Sequence, residues 1–264
     1  MALIYNGTPI TANDKIHFNG VDLTTVYFNG VEVWSHTSYE PGTITVSSSG
    51  QFVVPPDVFS INIIAIGGGG GGASGSSLSS KNSNGPGVID RGIAGIAGGD
   101  TVVNSIRAKG GGGGEIVETI LASYGIGALE YGPLPERRKG REGESATPYG
   151  TGGADAYGQS TEGYVNGVDG NDASGYGSGG SGGEGAYLHI EGVTVTQASM
   201  LGGSGGLKGS KVEETVDVIP GQIFYITIGE GGTGAPRVVG TEDPLEASGG
   251  RGGKGSSGVV LITW

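Results

Sequence analysis

Val58-Phe59-Ser60-Ile61-Asn62-Ile63-Ile64-Ala65-Ile66 runs directly into Gly67-Gly68-Gly69-Gly70-Gly71-Gly72, so an isoleucine-rich segment becomes bare backbone across a single peptide bond. The first half has the β-branched composition of a strand. The second half is a poor helix, because glycine loses more backbone entropy than any other residue and brings no side chain to bury. A second run spans Gly110 to Gly114, and glycine supplies 60 of the 264 residues, whereas ordinary proteins contain about 7%. Collagen would require glycine at every third position and abundant proline. Here Gly67 to Gly72 is unbroken, the later spacing is irregular, and there are only 11 prolines. The remaining ordered choice is a bundle of extended three-fold helices whose N–H and C=O groups bond between neighbours. Ordering each residue costs about 1–2 kcal/mol of backbone entropy, so flanking sheets must supply apolar burial.

Strand composition recurs at Thr43 to Val46, Gln51 to Val54, Val58 to Ile66, Tyr187 to Ile190, Val193 to Thr196, Val212 to Ile219, Ile223 to Ile228 and Val259 to Trp264. Pro220-Gly221 suits a turn joining an antiparallel pair, and Glu115 to Ala122 fits helix or strand. Residues 1–40 read as a separate β-hairpin unit, followed by a glycine-rich domain over 41–264. Ile16 to Leu23 and Val26 to Val33 repeat one hairpin pattern around Asn19-Gly20 and Asn29-Gly30. A two-residue loop at Asn19-Gly20 would set Phe18 opposite Val21, Ile16 opposite Leu23 and His17 opposite Asp22. Hairpins this small need a surface to dock on, and Phe18, Val21, Phe28, Val31 and Trp34 are the candidate attachment residues.

Charge and length exclude several classes. A net charge of −12 disfavours a grip on phosphate backbones, and the basic residues form one cluster, Arg137 to Arg141. No nucleic-acid partner is expected. With no cysteines, neither disulfides nor thiolate metal sites are available. The first residues lack the pattern of a signal peptide, and no run of about 18 apolar residues exists. Synthesis in the cytoplasm without membrane insertion is the expectation.

The Val58–Ile66 entry into glycine, the Pro220-Gly221-Gln222-Ile223-Phe224-Tyr225-Ile226-Thr227-Ile228-Gly229-Glu230-Gly231-Gly232 segment and the closing Gly258-Val259-Val260-Leu261-Ile262-Thr263-Trp264 resemble the glycine-rich domain of phage tail proteins. More loosely, glycine motifs broken by variable loops are similar to the tail-fibre tip adhesins of T-even phages. The likeness covers about residues 43–264. It implies an all-β fold in which a β-strand framework carries a sandwich of polyglycine II helices. It also implies location in the virion tail, a further tail or fibre protein as partner, and loops that contact a host cell-surface receptor, either an outer-membrane protein or a surface glycan. Residues 1–40 do not resemble the attachment portion of those adhesins, which leaves one copy per fibre and a homotrimer both open.

Six of the eleven tyrosines, Tyr124, Tyr131, Tyr149, Tyr157, Tyr164 and Tyr176, fall within about 121–176 amid Gly, Ser, Asn and Asp. Tyrosine gives large amphipathic contact area with few rotatable bonds, and small polar neighbours add adaptable hydrogen bonding, as in an antibody paratope. The plain alternative is that these rings shield glycine backbone. Arg137 and Arg138 lie in a charged loop over 133–145 that could meet lipopolysaccharide phosphates or an acidic porin loop; the alternative is a solvated run. These eight residues are the candidate receptor-binding set.

Catalytic signatures are weak. His17, His36 and His189 join no Ser/Asp grouping. Lys254 in Gly249 to Ser256 is followed by glycine where a phosphate loop needs Ser or Thr. Asp169 and Asp172 in Gly167 to Gly175 approach a single calcium-binding nonapeptide. No cofactor or metal is expected from these motifs. A polysaccharide depolymerase would need paired carboxylates, and the spacing of Glu115, Glu118, Glu130 and Asp155 pairs none. A receptor-binding adhesin that is not an enzyme is therefore the first expectation. A purely structural tail or baseplate component is the second.

Overall fold

The computed structural model describes residues 3–5, 8–10, 16–18, 21–23, 25–28, 31–35, 41–80, 88–116, 163–190, 196–199, 202–240 and 245–264. Among them there is no helix, and the fold is all-β.

Near the start, β1 (Leu3–Tyr5) pairs with β2 (Thr8–Ile10), β3 (Ile16–Phe18) with β4 (Val21–Leu23), and β5 (Thr25–Phe28) with β6 (Val31–Ser35). Ile16 faces Leu23, His17 faces Asp22 and Phe18 faces Val21, the register that Asn19-Gly20 dictates. The next hairpin starts alike, with Phe28 facing Val31. A shift between Val26 and Tyr27 then brings Val26 opposite Trp34, so the two copies are not equivalent. Tyr5 pairs with Thr8 across a two-residue connection, Asn6-Gly7, which sequence analysis leaves unused as a hairpin signal.

The main core lies between two four-stranded antiparallel sheets. One has the order β17 (Lys211–Asp217), β9 (Ser60–Ile66), β20 (Val259–Thr263), β7 (Thr43–Val46). The other runs β13 (Ile106–Ala108), β12 (Thr101–Val103), β18 (Ile223–Thr227), β8 (Gly50–Val53). Alternation in β9 buries Ile61, Ile63 and Ala65 and leaves Ser60 exposed. Those side chains pack with Val260 and Ile262 against Phe52, Phe224, Ile226, Val103 and Ile106 of the facing sheet. Phe52 and Trp264 meet at 5.6 Å between ring centroids.

Pro220-Gly221 forms a turn, with φ of 80° at Gly221 and a 3.0 Å bond from the Gln222 N–H to the Ile219 carbonyl. This is type II geometry with proline and glycine at their preferred positions. It does not join an antiparallel pair, however: β17 bonds to β9 and β18 to β8 and β12, so the turn carries the chain from one sheet to the other. Sequence composition marks a turn but contains no information about which sheet receives the next strand.

Beyond Ile66 the chain stays extended as residues 67–76. Nine successive N–H groups, Gly67 to Gly75, donate in strict rotation to three neighbouring segments. Gly67, Gly70 and Ala73 bond to Ser210, Leu207 and Ser204; Gly68, Gly71 and Ser74 to Gly99, Ile96 and Ile93; Gly69, Gly72 and Gly75 to Ser256, Gly253 and Gly250. All three acceptor segments run antiparallel to 67–76. Its carbonyls accept from three parallel ones: Gly111 and Gly114, then Gly180, Gly183 and Ala186, then Gly232 and Ala235. The six neighbours (92–100, 109–115, 202–210, 177–186, 248–258 and 229–238, in order round the ring) also bond to one another, so the ring closes. An eighth segment, 166–173, bonds to 177–186 and 248–258 and lies outside the ring.

Space, rather than unusual dihedrals, makes glycine necessary here. Of the described glycines only Gly175, Gly177 and Gly221 have positive φ. A Cβ at any position from Gly67 to Gly72 would lie 1.9–2.2 Å from a neighbour's backbone. At the far end of the layer the chain enters two three-stranded sheets, ordered β11 (Val88–Asp90), β10 (Ser77–Ser80), β19 (Leu245–Ala247) and β14 (Gly163–Val165), β15 (Tyr187–Ile190), β16 (Thr196–Ser199). The strand expected at Val193 to Thr196 begins at Thr196, and residues 193–195 lie outside the described residues.

Candidate functional site

The glycine layer has two unlike ends. One abuts the apolar sandwich, because β9, β12, β13, β17, β18 and β20 each continue directly into a layer segment. At the opposite end lie β10, β11, β14, β15, β16 and β19. The chain leaves 109–115 at this opposite end, past Ile116, and returns at Gly163 to the same end as β14. Residues 117–162, the longest stretch between two layer segments, are thus attached there by both limbs.

The two candidate tyrosines among the described residues, Tyr164 and Tyr176, lie at different ends. Tyr124, Tyr131, Tyr149 and Tyr157, with Arg137 and Arg138, lie outside the described residues, on the 117–162 stretch whose limbs meet the opposite end. Tyr164 is in β14, paired with Leu188, at that end. Tyr176 is not with them. It occupies the turn between 166–173 and 177–186, beside Ile66, whose Cγ2 would lie 2.6 Å from a Cβ on Gly177. At about 3.1–3.4 Å per residue of an extended chain, residues 67–76 separate the two ends by roughly 30 Å. Tyr176 is 43% exposed, at the sandwich end. The reason is local: 166–173 has glycines at Gly167 and Gly170 where Cβ atoms would strike the Glu184 and Ser181 carbonyls, so this stretch joins the layer instead of looping.

Of the candidate attachment residues, Phe18 faces Val21, Phe28 faces Val31 and Trp34 faces Val26 in the N-terminal hairpins. At the sandwich end of the main domain, Val53, Ile219, Ile223 and Tyr225 are exposed large apolar side chains that sequence analysis does not single out. Val53 and Ile223 face each other across β8 and β18.

Asp169 has both carboxylate oxygens engaged within the fold, and Asp172 has its Oδ1 engaged. Asp169 accepts from the Arg251 N–H at 2.9 Å, from the Arg237 guanidinium at 2.6 Å and from Arg251 Nε at 3.3 Å. Asp172 accepts from the Lys254 N–H at 2.8 Å and from the Arg251 guanidinium at 3.4 Å. Burial works to raise the Asp169 pKa, but the Arg251 N–H and the Arg237 and Arg251 charges outweigh it and hold the carboxyl below its ordinary value. Asn166 repeats the pattern, its side-chain oxygen accepting the Ser248 N–H at 2.7 Å. The aspartate spacing that approaches a calcium motif is here a period-three ladder onto a neighbouring backbone.

The same neighbour contains the phosphate-loop lookalike around Lys254. Its N–H groups at Gly249, Gly250, Gly252, Gly253, Gly255 and Ser256 bond to carbonyls of adjacent segments, and those of Arg251 and Lys254 to the ladder. Such a strand offers no nest of free amides. The Glu115 N–H donates to Ser204 Oγ at 2.7 Å, which fixes its backbone at the end of 109–115; Glu118, Glu130 and Asp155 lie outside the described residues. His17 faces Asp22, His189 faces Gly163, and His36 lies outside the described residues. No helix among the described residues is long and apolar enough to cross a membrane.

No protein-family model matches the chain, and no curated protein matches it.

Proposed function

We propose that this chain is a phage tail adhesin, located in the virion tail, that contacts a host cell-surface receptor through residues 117–162 and β14. The observation that carries the reading is the common attachment of both limbs of 117–162 to one end of a cross-bonded glycine layer, opposite the apolar sandwich. That stretch contains four candidate tyrosines and the Arg137–Arg138 pair. A rigid mount limits the conformational entropy lost when such a stretch binds. The receptor class is an outer-membrane protein or surface glycan, and the N-terminal hairpins provide the link to another tail or fibre protein. We infer that the layer is a polyglycine II sandwich. Bonds in rotation to three antiparallel and three parallel neighbours, negative φ and Cβ-excluding contacts at Gly67 to Gly72 all favour that lattice.

Binding of the purified protein to a panel of Gram-negative bacteria tests the function, with a Tyr149→Ser/Tyr157→Ser/Tyr164→Ser variant beside it. Saturable binding by the wild type that the variant loses is the expected result. No binding to any strain, even by protein mounted on its fibre, would leave a structural tail component as the better account.

A further inference from the structure

The segment 166–173 differs from the other seven. It alone makes no hydrogen bond to the central 67–76, and it is also the limb on which the chain returns from 117–162. Its attachment to 248–258 has two interleaved parts. Backbone N–H groups of Gly167, Gly170 and Ala173 donate to the Ser248, Arg251 and Lys254 carbonyls at 2.7–2.8 Å. In return, the N–H groups of those same three residues donate to side-chain oxygens of Asn166, Asp169 and Asp172. Antiparallel neighbours in the ring are joined by backbone N–H to carbonyl bonds, to which the Ser204 and Ser256 hydroxyls add local contacts. Here the two segments run parallel, and the Asx side chains, one every three residues, take up the N–H groups that this pairing leaves over.

A further contact limits sliding. Repetition every three residues makes a slip of three positions inexpensive for bare glycine chains, since each N–H finds an equivalent carbonyl. Arg237, on 229–238, reaches Asp169 at 2.6 Å, and Arg251 touches both Asp169 and Asp172. A slipped segment would keep backbone bonds but lose these ion pairs and one rung of the ladder.

We propose that Asn166, Asp169 and Asp172 are positioning residues: their ladder onto Ser248, Arg251 and Lys254 fixes the return limb of 117–162 and so sets where the contact stretch is presented. The presentational part rests on the adhesin reading above; the ladder itself does not. Asp169→Ala/Asp172→Ala removes two rungs, and Asp169→Asn/Asp172→Asn keeps an acceptor oxygen, as Asn166 already does in the third. Hydrogen exchange read by mass spectrometry over 245–258 and over 67–76 is the first arm. Binding to a bacterial strain that the wild type binds is the second. With the alanine pair, exchange at Arg251 and Lys254 rises at least tenfold, 67–76 stays protected and cell binding falls at least tenfold. The asparagine pair restores both readouts. Unchanged exchange in the alanine pair, failure of the asparagine pair to restore protection, or equal loss of protection across 67–76 would overturn the proposal. Faster exchange with full cell binding would overturn its presentational part. A ladder that behaves as expected in a protein that binds no strain counts against the adhesin reading alone.

Discussion

Gly70→Ala and Gly112→Ala add the same methyl group to facing segments of one layer, and the structure assigns them different consequences. A Cβ on Gly70 would lie 1.9 Å from the Gly112 carbonyl oxygen and 2.6 Å from its carbon, whereas ordinary contact begins at 3.4 Å. Relief requires 67–76 and 109–115 to part by about 1.5 Å, the difference between those distances. The two bonds that tie these segments, from the Gly111 and Gly114 N–H groups to the Gly68 and Gly71 carbonyls, are each 2.8 Å long and would not survive that separation. Leaving two bonds unmade in a tightly packed layer costs about 2–6 kcal/mol, at about 1–3 kcal/mol each. Total stability of a domain is only about 5–15 kcal/mol. A Cβ on Gly112 would meet only Leu207 Cδ1 at 3.4 Å and Cγ at 3.9 Å, at the edge of ordinary contact with a movable side chain. There the smaller entropy of the unfolded chain favours alanine by about 0.4–1 kcal/mol. Urea denaturation followed by tryptophan fluorescence is the assay. Gly70→Ala loses at least about 2 kcal/mol, and Gly112→Ala stays within about 1 kcal/mol of wild type. Equal effects of the two substitutions, or a Gly70→Ala protein as stable as wild type, would refute the steric account of the layer.

Gly221→Ala isolates dihedral strain from crowding, because φ is 80° there and no atom lies within 4 Å of the added Cβ. It should cost about 1–2 kcal/mol in the same titration, and no measurable loss would remove the strain argument. Acid should also weaken the fold. Asp169 is held below its ordinary value of 3.8; Asp100 is lowered by the Gly110 N–H and then Arg107, and Glu213 by Lys211 and then Asn62. A depressed folded pKa contributes stability that is present above the unfolded value and lost as pH falls through the folded one. Thermal melting is therefore level near neutrality and declines below about pH 4.5, where these carboxyls begin to protonate in the unfolded chain while the folded ones stay ionised. Asp169→Asn flattens part of that decline, whereas a decline of unchanged size in the variant would show that Asp169 is not among its causes.

Sequence legibility followed the length scale of each interaction. Asn19-Gly20 determined its hairpin register because turn chemistry and cross-strand partners are all within eight residues. The twin pattern at Asn29-Gly30 predicted the same register and missed the shift beside Val26, since nothing in the local pattern marks it. Glycine density and the Val58–Ile66 entry were enough to require an inter-segment backbone lattice flanked by strands. Short strands such as β10, Ser77–Ser80, escaped because their residues have no strand bias, and pairing with β11 and β19 imposes their conformation.

Within the candidate site, tyrosine clustering was visible in composition, but the opposite placement of Tyr164 and Tyr176 was not. It depends on Gly167 and Gly170 docking against carbonyls near Ser181 and Glu184, in a segment that a reader of the sequence takes for loop. The Asp169 and Asp172 ladder was hidden for the same reason: its partners at Arg251 and Lys254 are 82 residues away. By itself the sequence determined that bare backbone must pack on bare backbone, because glycine has no other means of cohesion. Only the tertiary structure decided which segment is central, which six surround it and which one is left outside. Near-identical glycine segments are interchangeable until strands, ion pairs and Asx rungs at their ends fix their order and register.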